Sequence, residues 1–178
     1  MAETNLSGKV AIITGAGGGM GSAMTLGLLG KGARVAAVDV NPNALETLAA
    51  KAVKAAGSDR VLPIIGDVSQ PEECQRIVRR AVEVFGRVTM LVNNAGIGMQ
   101  TIRADYMSNP VRFWEVDPDR FQRMMDINWK APFLLARAVA PQMIAQKWGR
   151  VVNVTTSLDT MFRHNYTPYG MAKAALEA

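Results

Sequence analysis

The chain has 178 residues, 49% of them apolar and 20% charged, with a formal net charge of +5. That is enough apolar sequence for one sizeable core, and no uninterrupted apolar run is long enough to suggest a membrane-crossing helix. A single cysteine, Cys74, excludes a disulfide framework within the chain and points to a reducing, cytoplasmic setting, and residues 1–7 lack the basic-then-apolar pattern of a secretory leader.

The first expected element is a buried strand over residues 9–14 (K-V-A-I-I-T), which runs directly into Gly15-Ala16-Gly17-Gly18-Gly19-Met20-Gly21 and then a helical pattern through Leu26, Leu28 and Leu29. Strand, glycine turn and helix is the context in which a pyrophosphate meets the free N–H groups and dipole of a helix N-terminus. The spacing is G-x-x-x-G-x-G, so the G-x-G-x-x-G fingerprint applies only loosely. Gly27, Gly30 and Gly32 read as packing or helix-ending residues. A second strand over residues 34–39 ends in Asp39, eighteen residues after Gly21. In a dinucleotide site such an acid accepts hydrogen bonds from the adenosine ribose and repels a 2′-phosphate. That favours NAD over NADP, as does the lack of Arg or Lys in the glycine loop. The competing reading is that Asp39, followed by Asn41-Pro42, only caps the next helix.

Helices are expected over residues 42–56, 71–85 and 118–147, with strands over 61–66, 88–92 and 150–155. The positive charge is the one compositional hint of nucleic acid, but its densest group, Arg76, Arg79 and Arg80, shares an amphipathic helix with Glu72, Glu73 and Glu83 and reads as a solvated face. No repeat, linker or low-complexity tract divides the chain, and no metal site, membrane or nucleic-acid partner is expected. The βαβα alternation implies an α/β fold with a doubly wound parallel sheet and a ligand crevice at the carboxyl ends of its strands. Asp67, the stretch Asn93-Asn94-Ala95-Gly96 and the hydroxyls Thr155-Thr156-Ser157 all fall at those ends.

Between Asn94 and Asn128, Tyr106, Phe113 and Trp114 cluster with Met99, Met107 and Val111; they either shape an apolar substrate pocket or pack as core. Pro132 has no N–H for the carbonyl of Asn128, so the helix over 118–147 is expected to kink there and leave that carbonyl free to bind water. Thr167 before Pro168 reads as an N-cap, which places Tyr169 in the first turn of a helix and Lys173 one turn later on the same face. A nearby ammonium and a helix N-terminus favour phenolate, so this tyrosine can exchange a proton with an alcohol or carbonyl. His164, the only histidine, reads as a rim residue.

Taken in order, T-G-A-G-G-G-M-G, Asp39, Asp67-Val68, N-N-A-G, Asn128, the Thr156/Ser157 region and Y-G-M-A-K resemble the short-chain dehydrogenase/reductase family from Gly8 to Ala178. The resemblance implies a Rossmann domain and an oxidoreductase that moves hydride between NAD(H) and a secondary alcohol or ketone. It implies that Gly15, Gly19, Met20 and Gly21 line the pyrophosphate, that Asp67 and Val68 flank the adenine, and that Asn94, Ala95 and Gly96 form the floor near the nicotinamide ribose. Tyr169 would be the acid/base, Lys173 would bind ribose hydroxyls and lower the tyrosine pKa, and Asn128 would hold a water linking the lysine to solvent. An ungapped count puts the family's serine on Thr156, thirteen residues before Tyr169, with Ser157 as its neighbour; the two stay open as the substrate-binding hydroxyl. Family members continue past the tyrosine helix with two more strands and a substrate-covering segment. The expectation is therefore one Rossmann domain over residues 1–178, incomplete at its C-terminus, with five of seven strands and a homo-oligomeric parent. Two alternatives accompany it: a nucleotide-binding fragment without turnover, and an NADP-linked ketoreductase.

Overall fold

Short runs rich in Val, Ile and Ala form the strands β1 (Val10–Thr14), β2 (Arg34–Asp39), β3 (Val61–Ile65), β4 (Met90–Asn93) and β5 (Arg150–Asn153) of this computed structural model. The structure describes residues 5–178; residues 1–4, on which part of the reading against a secretory leader rests, lie outside the described residues. The strands form one sheet in the order β3-β2-β1-β4-β5, and every pairing is parallel. With β1 bonded to both β2 and β4, the chain winds outward in two directions, and the change of direction between β1 and β4 opens a crevice at the carboxyl ends.

Among the described residues seven α-helices connect and cover the strands: α1 (Gly19–Gly30), α2 (Pro42–Ala56), α3 (Pro71–Phe85), α4 (Pro118–Met125), α5 (Ala131–Ala145), α6 (Leu158–Met161) and α7 (Thr167–Glu177). The two-residue period of the strands sends alternate side chains to opposite faces. Val10, Ile12, Ala36 and Val38 pack with Ile77 and Ala81 of α3 and Leu135 and Val139 of α5. Ala11, Ile13, Val35 and Ala37 pack with Leu29 of α1 and Leu45 and Leu48 of α2. Each fully buried Leu or Ile contributes roughly 1.5–3 kcal/mol over an exposed one, so these two layers hold the central strands firmly. At the edge of the sheet β5 has one neighbour, and Val151 and Val152 are 44% and 50% exposed. Among the described residues no helix is long and apolar enough to cross a membrane.

Several boundaries depart from the sequence reading, most of those within helices for a local reason. Strand β4 starts at Met90 rather than Val88, because the Val88 N–H donates to the Gln142 side chain (3.0 Å). Strands β3 and β5 end at Ile65 and Asn153. The helix expected over 118–147 is divided by a π-turn over Asp126–Lys130, in which the Ala131 N–H donates to the Asp126 carbonyl, five residues back. The missing N–H of Pro132 removes the i to i+4 bond from Asn128, and the backbone takes up the extra residue as a π-turn. Finally, α7 is capped by Tyr166 rather than Thr167, and its first bond runs from the Gly170 N–H to the Tyr166 carbonyl (2.8 Å).

Between β4 and α4 the chain makes two 3₁₀ turns, Met99–Thr101 and Phe113–Glu115. Met99, Ile102 and Val111 of this segment pack on Met124 of α4 and Ala172 of α7. Phe113, Trp114 and Met107 are exposed instead, so the segment is core along one side and open along the other.

Candidate active site

The loop after β1 has no room for a Cβ where it meets neighbouring backbone. Gly15 has φ +63°, and a Cβ there would lie 2.9 Å from the Cα of Ala95. A Cβ on Gly21 would lie 2.1 Å from the carbonyl oxygen of Gly15, so the first turn of α1 sits directly on the loop. At Gly19 a Cβ would meet nothing within 4 Å. No side chain caps α1, and the first N–H groups of a helix have no intrahelical partner, so this open end is a ready anion cradle.

Asp39 closes one side of the cradle. Its carboxylate accepts the Gly17 N–H at 2.8 Å and the Asn41 N–H at 2.9 Å. The cap of α2 is Asn41, whose side chain accepts the N–H groups of Asn43 and Ala44. Asp39, the glycine loop, Asp67, Val68 and Asn94 to Gly96 line a cavity of about 480 Å³. Arg123 of α4 lines it too, with its guanidinium 3.9 Å from the Asp67 carboxylate. Sequence reasoning passed over Arg123, although its i,i+4 relation to Ile127, another lining residue, would have put it on the crevice side of the helix.

The far side of the loop is fixed by β4. The Asn94 side-chain amide donates to the carbonyls of Thr14 and Gly15 at 2.9 and 3.1 Å, and the Thr14 hydroxyl accepts the N–H groups of Asn94 and Ala95 at 3.1 and 3.0 Å. Thr14, the last residue of β1, thus ties the two central strands together where the crevice opens.

Asn128 is fully buried in the π-turn and clamps the next segment. Its Oδ1 accepts the Ile97 N–H and its Nδ2 donates to the Ile97 carbonyl, both at 2.8 Å. Gly96 lies between Asn128 and Lys173: a Cβ there would be 3.3 Å from Asn128 Oδ1 and 3.8 Å from Lys173 Nζ. The Lys173 ammonium is 5% exposed, donates to the Val154 carbonyl at 2.8 Å and lies 5.9 Å from the centroid of the Tyr169 ring. Burial pushes its pKa down. Asn128, Gly96, Tyr169 and Lys173 are therefore brought together as the sequence order suggested.

A second cavity of about 330 Å³ opens on Tyr169 and Lys173 and shares Met20, Asn94, Gly96 and Ile97 with the first, so the two form one trough. Its hydroxyls come from Thr155, Thr160 and the tyrosines Tyr106 and Tyr166, which pack edge to face at 5.7 Å. Neither Thr156 nor Ser157 is among its lining residues. Ser157 caps α6, accepting the Thr160 N–H at 3.3 Å, with its Oγ 3.1 Å from the Thr160 Oγ1. A Cβ on Gly170 would lie 2.1 Å from the Met161 carbonyl, so α6 is seated directly against α7 and carries Thr160 to the tyrosine. The S-x-x-T spacing of an N-cap would have revealed α6, though not its contact with Gly170. Among the described residues no group of three or more His, Cys, Asp or Glu is placed to hold a metal ion.

Residues 9–178 match the sequence profile described as short chain dehydrogenase. The chain is 33% identical over 171 residues to a 3-oxoacyl-(acyl-carrier-protein) reductase of Thermotoga maritima, covering 96% of this chain and 65% of the relative. It is 32% identical over 168 residues to a 2-(R)-hydroxypropyl-CoM dehydrogenase of Xanthobacter autotrophicus, covering 94% and 64%. The fold matches that of a metagenomic short-chain oxidoreductase in complex with NADP (TM-score 0.86, 30% identity, 97% of this chain and 73% of the other). It also matches NAD⁺-bound xylitol dehydrogenase (TM-score 0.82, 32% identity, 96% and 62%). The chain thus spans about 65% of the length of the relatives it resembles.

Proposed function

Because the chain belongs to the short-chain dehydrogenase family, we propose that it is the dinucleotide-binding and catalytic part of an NAD-dependent oxidoreductase acting on a secondary alcohol or ketone. The observation that carries this reading is the continuous trough from Asp39 through the glycine loop to Tyr169 and Lys173. Its residues fit a nicotinamide dinucleotide. Gly15, Gly19, Met20 and Gly21 would hold the pyrophosphate at the open end of α1, and Asp67 and Val68 would flank the adenine. Asn94, Ala95 and Gly96 would floor the nicotinamide end. Asp39 would take the ribose hydroxyls and disfavour a 2′-phosphate, which is the argument for NAD. When bound, the nicotinamide supplies the hydride acceptor or donor.

Within the chain itself, Tyr169 gives a proton to the carbonyl oxygen in reduction and takes it from the hydroxyl in oxidation. The Lys173 ammonium lies 5.9 Å from the centroid of the Tyr169 ring, and its bond to the Val154 carbonyl holds it in place. Asn128 positions the Ile97 backbone beside them, and its backbone carbonyl would hold the water that links Lys173 to solvent. The substrate oxygen takes a hydroxyl from the turn after β5: Thr156 and Ser157 have the family spacing, whereas Thr155 and Thr160 line the cavity. Turnover of secondary alcohols with NAD, or of ketones with NADH, tests the reading. Tyr169→Phe should lower kcat by about 10²-fold or more while leaving NADH affinity within about twofold, since the ring remains and only the proton donor is lost. Retention of more than a tenth of the activity would remove Tyr169 from the role.

The edge of β5 favours a second reading, a module that binds the dinucleotide without turnover, because the strand has one neighbour and leaves Val151 and Val152 half-exposed. NADH binding with no reaction on any alcohol or ketone would select it.

A further inference from the structure

A hollow of about 720 Å³ adjoins the tyrosine cavity: Tyr166 walls the one, and its chain neighbours Asn165 and Thr167 line the other. The segment between β4 and α4 was expected to offer either an apolar pocket or core packing, yet this hollow is basic. Arg103, Arg112 and His164 line it, with Glu115 as the single carboxylate. That carboxylate is engaged by the fold, 3.5 Å from the Arg103 guanidinium and accepting the Arg112 backbone N–H at 3.3 Å. Arg103 is held further by the Asn109 side chain at 3.2 Å. The Arg112 guanidinium makes no ion pair among the described residues and lies 5.6 Å from the Trp114 ring centroid. Beside it Phe113 and Trp114 meet edge to face at 5.0 Å and are 65% and 66% exposed. A planar cation without an ion pair, lying over one of two exposed aromatic rings, suits a carboxylate on an apolar body, with the fork geometry of Arg fitting the anion and the exposed ring surface fitting the body.

We propose that this hollow is a subsite for the far end of the substrate, an aliphatic or aromatic group bearing a carboxylate, with the anion at Arg112 and the body over Phe113 and Trp114. The inference rests on the reading of Tyr169 as the reacting group only in so far as it assigns the other end of the same molecule to the tyrosine cavity. Binding is tested apart from turnover, by calorimetric titration with 4-phenylbutyrate and with 4-phenylbutan-1-ol at low salt. The acid should bind about tenfold tighter, the scale of one charge-assisted contact at an exposed site, and Arg112→Gln should bring the two ligands level. Arg112 is exposed and forms no ion pair, so this variant should fold normally, and an unchanged melting curve verifies it. Equal affinities in the unaltered protein, or a preference that survives Arg112→Gln, would overturn the subsite. A second arm compares NADH oxidation by 5-oxohexanoate and by hexan-2-one. A higher kcat/KM for the keto acid that Arg112→Gln erases supports the assignment. Acid-selective binding with equal kcat/KM for the two ketones overturns the link to the substrate. Acid-selective binding with neither ketone reduced also overturns that link while leaving the anion site itself in place; the reading of Tyr169 falls only if no alcohol or ketone reacts.

Discussion

Both ends of the Asn128 side-chain amide are engaged by one residue, Ile97, in a fully buried position. Truncation strands a donor and an acceptor together, and each stranded group costs its desolvation rather than the smaller net value of a bond. Asn128→Ala should therefore lower unfolding stability by about 2–4 kcal/mol, seen as a lower urea midpoint at unchanged slope. A loss under about 0.5 kcal/mol would mean that water replaces the amide freely. Lys173 makes a different prediction, through pH. Burial lowers its folded pKa below the ~10.4 of an unfolded lysine, so in the window between the two values the unfolded chain binds more protons. Stability attributable to this group then rises with pH across that window. Measured against Lys173→Met, the unaltered protein should gain relative stability as pH rises towards ~10.4, the value of an unfolded lysine; a flat difference would show that the ammonium is not desolvated.

Among the elements, β5 is the exposed one. A parallel strand with one neighbour and two half-exposed valines presents unpaired backbone and apolar surface, the condition under which edges associate. Val152→Lys should raise the monomer fraction in light scattering at a given concentration while changing stability by no more than about 0.5 kcal/mol, the usual scale for a surface substitution. An unchanged monomer fraction would show that the edge is inert. The central strands and the glycine loop were legible because their signals are local: apolar runs over 9–14 and 34–39, and glycines where the backbone allows no Cβ. Less local features were not. The kink at Pro132 was foreseen, but its form as a π-turn depends on how α4 and α5 are held by their neighbours. The hydroxyl cluster shows the same limit. Spacing drew attention to Thr156 and Ser157, whereas the contact between Gly170 and Met161, invisible in the sequence, brings Thr160 to the cavity.

At the scale of the whole molecule, the order β3-β2-β1-β4-β5 puts every polar signature at one rim of the sheet, and two apolar layers beneath make that rim rigid. The trough it creates has an acid at one end and a tyrosine and lysine at the other. Arg123 is a cation within that trough and lies 3.9 Å from the Asp67 carboxylate, whereas Asp39 makes no ion pair among the described residues and accepts the Gly17 and Asn41 N–H groups. The claim that this trough is a nicotinamide dinucleotide site selective for NAD is tested most directly by titrating the protein with NADH and NADPH and following nicotinamide fluorescence. NADH should bind and NADPH should bind more weakly, and Asp39→Ala should narrow the gap by about 1–3 kcal/mol, the scale of hydrogen bonds to a charged group. NADPH binding as tightly as NADH, or no binding of either, would contradict the account.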